Sequence, residues 1–150
     1  MSKISANDEY QNLIKDIFYK VKQDDKDLLD DINERTFVFR FGHYLANCIE
    51  QSGKYKVDVE YNRKETDPKR KYDKLIIPDL IVHIRGTNDN LLAIEFKKSN
   101  DNKNDKEKLK FLKLNNAYLY KEVYFIVINK NKIEKLVDNE WKTIIGDNYE

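Results

Sequence analysis

The chain has 150 residues, 40% of them hydrophobic, so it can bury one hydrophobic core, and a single domain over residues 1–150 is expected. Its 28 basic and 27 acidic side chains leave a formal net charge of +1. The net charge is therefore too small to attract a polyanion, and any such attraction must come from local basic patches. Cys48 is the only cysteine and no apolar run has membrane-spanning length, so the sequence excludes internal disulfides and cysteine-based zinc sites and predicts a soluble, cytoplasmic protein.

Two amphipathic helices are predicted in the first third of the chain. Apolar residues recur at helical spacing over residues 9–21, which indicates a first helix. A second helix is expected over residues 30–50, capped by Asp30 or Asp31 and ended by the Ser-Gly pair that follows. Cys48 falls on its apolar side, where we expect it to pack as a small core residue.

The remaining elements are mostly strands. Residues 55–61 alternate apolar and polar side chains, as in a half-buried strand, and a polar loop follows over residues 63–74. We then predict two strands, at residues 76–85 and 91–98, joined by a turn around GTNDN. A helix is expected over residues 104–120, a strand covered on both faces over residues 122–129, and a final strand or hairpin over residues 133–145. This order predicts a mixed α/β domain in which helices pack against a sheet.

Two acids and a lysine lie inside the two most hydrophobic segments, IIPDLIVHI and LLAIEFKK, where burying a charge is costly. Side chains alternate along a strand, so Glu95 and Lys97 point to one face. A hairpin that turns near Asn88 would bring Asp79, near the start of one strand, close to the end of the next. Pro78 cannot donate to a ladder, which indicates that pairing gives out there. The sequence therefore predicts two carboxylates and an ammonium at one end of a hairpin.

A further acid, Glu34, is predicted to face the core from the second helix. On a wheel of roughly 100° per residue it is centred on an apolar stripe that consists of Phe37, Val38, Phe41, Leu45 and Cys48. His43 falls on the opposite side. A carboxylate on the buried face near a helix start is a candidate partner for a divalent cation, and the alternative is an acid stabilised by the helix dipole.

These groups suit one kind of chemistry. The carboxylates of Asp79, Glu95 and Glu34, with the backbone carbonyl of Phe96, would provide hard oxygen ligands for Mg²⁺ or Mn²⁺. A lysine two residues from a ligand, here Lys97, can hold or help deprotonate an attacking water and can stabilise charge that develops on a phosphate. The pattern predicts phosphodiester hydrolysis.

Pro78-Asp79, followed after fifteen residues by Glu95-Phe96-Lys97, resembles the signature of the PD-(D/E)xK nuclease superfamily, which includes restriction endonucleases and Holliday-junction resolvases. The resemblance covers about residues 33–127. It implies a restriction-endonuclease-like core, with a central mixed four- to five-stranded sheet flanked by helices. By that resemblance, Asp79 and Glu95 would bind metal, Lys97 would be the catalytic lysine, and Glu34 would complete or support the metal site.

Basic residues on both sides of the proposed site are candidates for phosphate contacts that position nucleic acid without reading its sequence. They are Arg40, Arg63, Lys69, Arg70, Lys71, Lys98 and Lys108. The alternative for any one of them is a solvated surface charge. Neither His43 nor His83 is expected to take part in catalysis.

The sequence thus favours a Mg²⁺-dependent or Mn²⁺-dependent nuclease, an endonuclease rather than an exonuclease, that acts on DNA. A cut through both strands needs two sites, so a homodimer is expected, or else a partner protein that delivers the enzyme to its substrate. The alternative is a catalytically inactive nuclease-fold module that binds nucleic acid or a protein partner. Sequence alone does not choose between DNA and RNA, or between duplex, single-stranded and branched substrates.

Overall fold

The computed structural model describes residues 6–25, 34–59, 70–71, 74–75, 77–99 and 103–146, with the backbone alone at residues 6–9, 52, 70–71, 74–75 and 103. Within these residues the α-helices are α1 (Ala6–Asp24), α2 (Glu34–Ile49) and α3 (Lys103–Leu114). The strands are β1 (Lys56–Val59), β2 (Arg70–Lys71), β3 (Lys74–Leu75), β4 (Leu80–His83), β5 (Asn90–Lys97), β6 (Glu122–Val127), β7 (Lys132–Val137) and β8 (Glu140–Ile145). Short 3₁₀ turns lie at Glu50–Ser52 and Ile128–Lys130.

In the described part of the chain, six strands form one mixed sheet in the order β1-β4-β5-β6-β7-β8. Strands β5 and β6 run parallel, with α3 as their crossover, and all other neighbours are antiparallel. This confirms the predicted α/β fold with a central mixed sheet flanked by helices. The sheet has six strands rather than four or five because the tail forms the hairpin β7–β8. A separate pair of two-residue strands, β2 and β3, lies at the end of the segment predicted to be a loop and extends one residue beyond it.

Helices α1 and α2 cover one face of the sheet and α3 covers the other, because alternate strand residues belong to two different core clusters. Phe96 points toward the first face, where its ring centroid lies 6.0 Å from that of Phe37 and 5.2 Å from that of Phe41. Ala93 points toward the other face and packs with Leu109 of α3. Strand β6 is buried along its whole length, as its continuous apolar run predicts.

Several predicted boundaries differ from the observed ones. Helix α1 is longer than predicted, and the predicted start of α2 at Asp30 or Asp31 lies outside the described residues. Helix α3 ends at Leu114 instead of residue 120, because the side chain of Asn115 accepts a bond of 2.8 Å from the N–H of Ala117 and turns the chain.

The prediction that Cys48 packs in the core is wrong, since its side chain is exposed. The buried residues of α2 end at Leu45, and Ile49, not Cys48, packs against the core in the last turn. The apolar stripe therefore turns away from Cys48 toward the side of Gly42 and Ile49. Among the helices in the described ranges, none combines the length and the apolar character that crossing a membrane requires.

Candidate active site

The three strand residues singled out from the sequence lie together at one end of the antiparallel pair β4–β5. Asp79 immediately precedes β4, and Glu95 and Lys97 lie among the last three residues of β5. Leu80 pairs with Ile94, so Asp79 comes opposite Glu95 at the next position. The predicted convergence of the two carboxylates is therefore what the strand register produces.

Two bonds between side chains and backbone join Asp79 to the Glu95-Phe96 segment of β5. The N–H of Asp79 donates to Oε1 of Glu95 at 3.0 Å, and the N–H of Phe96 donates to Oδ2 of Asp79 at 2.8 Å. The backbone hydrogen bonds between β4 and β5 end here because Pro78 has no N–H to donate. The carboxylates accept bonds from backbone N–H groups that would otherwise lack partners. The two acids are thus fixed in position by the strand ends.

Helix α3 brings two more charged residues to the same place. Nζ of Lys108 lies 2.9 Å from Oε1 of Glu95 and 3.4 Å from the carbonyl oxygen of Ile77. Asp105, one turn earlier on α3, lies 3.0 Å from Nζ of Lys97 and 3.7 Å from Nζ of Lys108. We call Asp79, Glu95, Lys97, Asp105 and Lys108 the charged cluster.

Glu34 stands beside the charged cluster at the first residue of α2, where it is half-buried. Burial raises the pKa of Glu34, the negative charges of Asp79 and Asp105 raise this pKa further, and Lys97 lowers it. Glu34 is therefore electrostatically coupled to the charged cluster, although it projects from the helix on the other face of the sheet.

The two central carboxylates are held in a medium that disfavours their charge. Burial, with repulsion from Asp79, raises the pKa of Glu95 to about 8, and the ammonium of Lys108 offsets part of this effect. Burial also raises the pKa of Asp79, against the opposing bond from the N–H of Phe96. A nearby cation would stabilise the ionised form of acids whose pKa values are raised in this way.

The residue types present fit a hard divalent cation. Asp79 and Glu95 each keep one oxygen, Oδ1 and Oε2, outside the bonds described above, and Mg²⁺ is commonly held by one or two carboxylates with water as the remaining ligand. The carbonyl of Phe96, the third predicted ligand, belongs to the residue that follows Glu95 on β5 and pairs with Ile126 of β6. Over the described ranges, no group of three or more His, Cys, Asp or Glu side chains has metal-site spacing.

Arg40, a predicted phosphate contact, is engaged in joining two helices. Its Nε lies 3.1 Å from Oδ1 of Asp25, and its guanidinium donates to the hydroxyl of Tyr44 at 2.9 Å. The same hydroxyl donates to Oδ2 of Asp25. The geometry thus gives Arg40 a structural role between the end of α1 and the middle of α2.

The other predicted phosphate contacts have different placements. Lys98 is exposed directly after β5, next to the charged cluster, whereas Lys108 lies inside it. Arg63 and Lys69 lie outside the described residues, and only the backbone of Arg70–Lys71 is described, as β2. Lys98 is therefore the described residue that keeps the predicted position beside the site.

Asp105 was not singled out from the sequence. The available signal was its spacing of three from Lys108 on the helix that follows the Glu-Phe-Lys strand, since residues three apart share a helix face. That spacing is common on solvated helices, so it did not distinguish a site residue from a surface pair.

Comparison of the chain with protein-family models and with curated proteins finds no match.

Proposed function

We propose that this protein is a metal-dependent nuclease that hydrolyses phosphodiester bonds, with DNA as its substrate. The observation that carries the proposal is the pair of carboxylates, Asp79 and Glu95, at the end of two apolar strands. Each carboxylate accepts a bond from a backbone N–H of the opposite segment, and Lys97 lies two residues beyond Glu95. A buried carboxylate pair costs stability, so its presence at a strand end is better explained by chemistry than by packing.

Asp79 and Glu95 would hold Mg²⁺ or Mn²⁺, with the carbonyl of Phe96 and the carboxylate of Glu34 beside them. When bound, such an ion polarises a phosphate oxygen and lowers the pKa of a coordinated water. The positions of the two carboxylates are already fixed by the bonds to the N–H groups of Asp79 and Phe96, so little ordering is left to occur on binding.

Lys97 has the properties of a cationic contact to the substrate. Its bond to Asp105 raises the pKa of the Lys97 ammonium, so this group is charged at neutral pH. A charged lysine orients a water or stabilises the negative charge on a phosphate in the transition state, and does not accept a proton. Asp105 acts as the positioning residue that holds this ammonium on the same face as Glu95.

A second candidate function is a nuclease-fold module that binds nucleic acid or a protein partner without cutting. One observation favours it: the ion pairs Lys108–Glu95 and Lys97–Asp105 compensate the buried acids from within the chain. A cluster in which two of the three acids are paired in this way depends less on a metal ion for its stability.

Cleavage assays separate the two functions. Purified protein is incubated with labelled duplex, single-stranded and four-way-junction DNA and with RNA of the same sequence, in the presence of Mg²⁺, Mn²⁺ or EDTA. We expect cleavage that EDTA abolishes and that Asp79→Asn and Lys97→Ala each slow by about 100-fold or more. Asp16→Asn, an exposed acid on α1, is the matched control and should cleave as the wild type does.

Cleavage that persists in Asp79→Asn would contradict the proposed site. Binding of any of these substrates by the wild type, without cleavage under either metal, would support the second function instead. Circular dichroism of each variant distinguishes loss of chemistry from loss of the fold.

A further inference from the structure

The side-chain ammonium of Lys108 lies among oxygen atoms. Its Nζ lies 2.9 Å from Oε1 of Glu95, 3.4 Å from the carbonyl oxygen of Ile77 and 3.7 Å from Oδ1 of Asp105. Carboxylate and backbone carbonyl oxygens are the ligands that hard divalent cations prefer. The ammonium of Lys108 is thus surrounded as a bound metal ion would be.

The carboxylate of Glu95 is too buried to contact an ammonium and a divalent ion at the same time. Its side chain is 4% exposed, so water screens little of the repulsion between an ammonium and a divalent ion that both contact it. The Lys108 side chain is 24% exposed and has a flexible four-carbon stem, so it can move its charge into solvent while α3 stays in place.

We propose that Lys108 is an internal cation that occupies the contact with Glu95 in the metal-free protein and competes with the divalent ion for this carboxylate. Binding of the metal then requires Lys108 to leave Glu95. The inference rests on the proposed metal site and adds a residue that sets the metal affinity of that site. Lys97 differs from Lys108 because its partner is Asp105, so its ion pair survives the exchange.

Mn²⁺ binding measured by electron paramagnetic resonance at pH 8.0 tests the competition. Lys108→Met keeps the apolar stem and removes the charge, so we expect this variant to bind Mn²⁺ about tenfold more tightly than the wild type. Lys110→Met is the matched control, because Lys110 lies on the same helix and takes no part in the charged cluster; it should bind as the wild type does. Equal or weaker binding by Lys108→Met overturns the inference.

Amine acetylation of the wild-type protein tests the release directly and does not depend on the folding of a variant. Mass spectrometry is used to follow the acetylation rates of Lys108 and Lys110 with and without saturating Mn²⁺. We expect Mn²⁺ to accelerate acetylation of Lys108 several-fold and to leave Lys110 unchanged, since release exposes the Lys108 amine. An unchanged rate at Lys108 overturns the inference.

The two proposals fail in different ways. If neither the wild type nor Lys108→Met binds Mn²⁺, both the metal-dependent function and the competition are overturned. If the wild type binds Mn²⁺ and cleaves DNA, but Lys108→Met binds no more tightly, only the role of Lys108 is overturned.

Discussion

Glu95 is the residue at which stability and the proposed chemistry oppose each other. Its carboxyl is buried on the sheet face that α3 covers, accepts a bond from the N–H of Asp79, and has a pKa raised to about 8. In the unfolded chain the pKa of a glutamate is about 4.3, so the folded protein binds an extra proton over the range between these values. A raised carboxyl pKa contributes stability below the unfolded value, and this contribution is lost as the pH rises through the folded value.

Glu95→Gln should therefore become more stable relative to the wild type as the pH rises. The neutral amide keeps the size of the side chain and has no proton to lose. We expect the difference in unfolding free energy between variant and wild type to shift in favour of the variant by about 2 kcal/mol or more between pH 5 and pH 9. Urea unfolding in EDTA, followed by the fluorescence of Trp141, gives both values. A difference that does not change with pH would mean that Glu95 is ionised throughout.

Single residues also show how far the sequence predicts the site. Alternation along β5 and the antiparallel register were sufficient to bring together Asp79, Glu95 and Lys97, because strand geometry relates residues at fixed spacing. Asp105 and Lys108 required knowledge of how α3 is rotated over β5. That rotation depends on the packing of side chains such as Leu109 and Leu112 in the second core cluster, which sequence periodicity does not specify.

At the scale of elements, edge strand β1 is held to β4 by a partly buried polar contact. Nε2 of His83 lies 2.7 Å from Oδ2 of Asp58, and the guanidinium of Arg85 bonds both oxygens of the same carboxylate. Although burial opposes it, the bonds from Arg85 and His83 lower the pKa of Asp58. The stabilisation from this charge is thus present above the ordinary aspartate pKa and is lost as the pH falls below it.

Asp58→Ala should detach β1 from the sheet edge. The variant leaves the buried imidazole of His83 without its carboxylate, and we expect the unfolding free energy at pH 7 to fall by about 2 kcal/mol. The matched control is Asp24→Ala, which removes an exposed ion pair with Lys20 and should leave stability close to that of the wild type. Urea unfolding of the three proteins at pH 7 and pH 3 is the measurement, and a penalty equal at both pH values would show that charge is not the cause.

The elements themselves were largely predictable, and the exceptions have local causes. Residues 91–98 and 122–129 were recognised as strands because long apolar runs with β-branched residues favour strands in any context. The sequence places the end of α3 too late because Tyr118 and Leu119 continue its apolar helical pattern. In the structure Asn115 turns the chain through its own side chain, so Tyr118 packs in the second core cluster from the turn that follows the helix, and Leu119 is exposed. The sequence is consistent with either a strand or a hairpin in the tail, because the turn at Asp138 and Asn139 has no glycine to mark its positive φ angles.

For the molecule as a whole, the charged cluster lies where two separate cores meet at the end of the sheet. Phe96 packs in the core under α1 and α2, while its neighbours Glu95 and Lys97 point to the face that α3 covers. The position of the site thus depends on strand β5 being fixed from both sides. Reactive groups on a strand that is packed on both faces are held more precisely than groups on a loop.

This arrangement predicts where the native protein opens last. Strands β5 and β6 are the two central strands of the six in the described sheet, and both are buried over nearly their whole length. Strands β1 and β8 lie at the edges and are partly exposed. Backbone amides exchange with solvent only when their hydrogen bonds open, and central strands open with the largest free energy.

Hydrogen exchange followed by mass spectrometry should therefore find the slowest amides in β5 and β6, at the rate set by global unfolding. We expect peptides that cover β1 and β8 to exchange about 100-fold faster, because an edge strand separates without unfolding the rest. Asp58→Ala should accelerate exchange in β1 more than in β8, since only β1 depends on that carboxylate. Equal protection of edge and central strands would show that the sheet unfolds only as a unit, and that the candidate site then shares the full stability of the core.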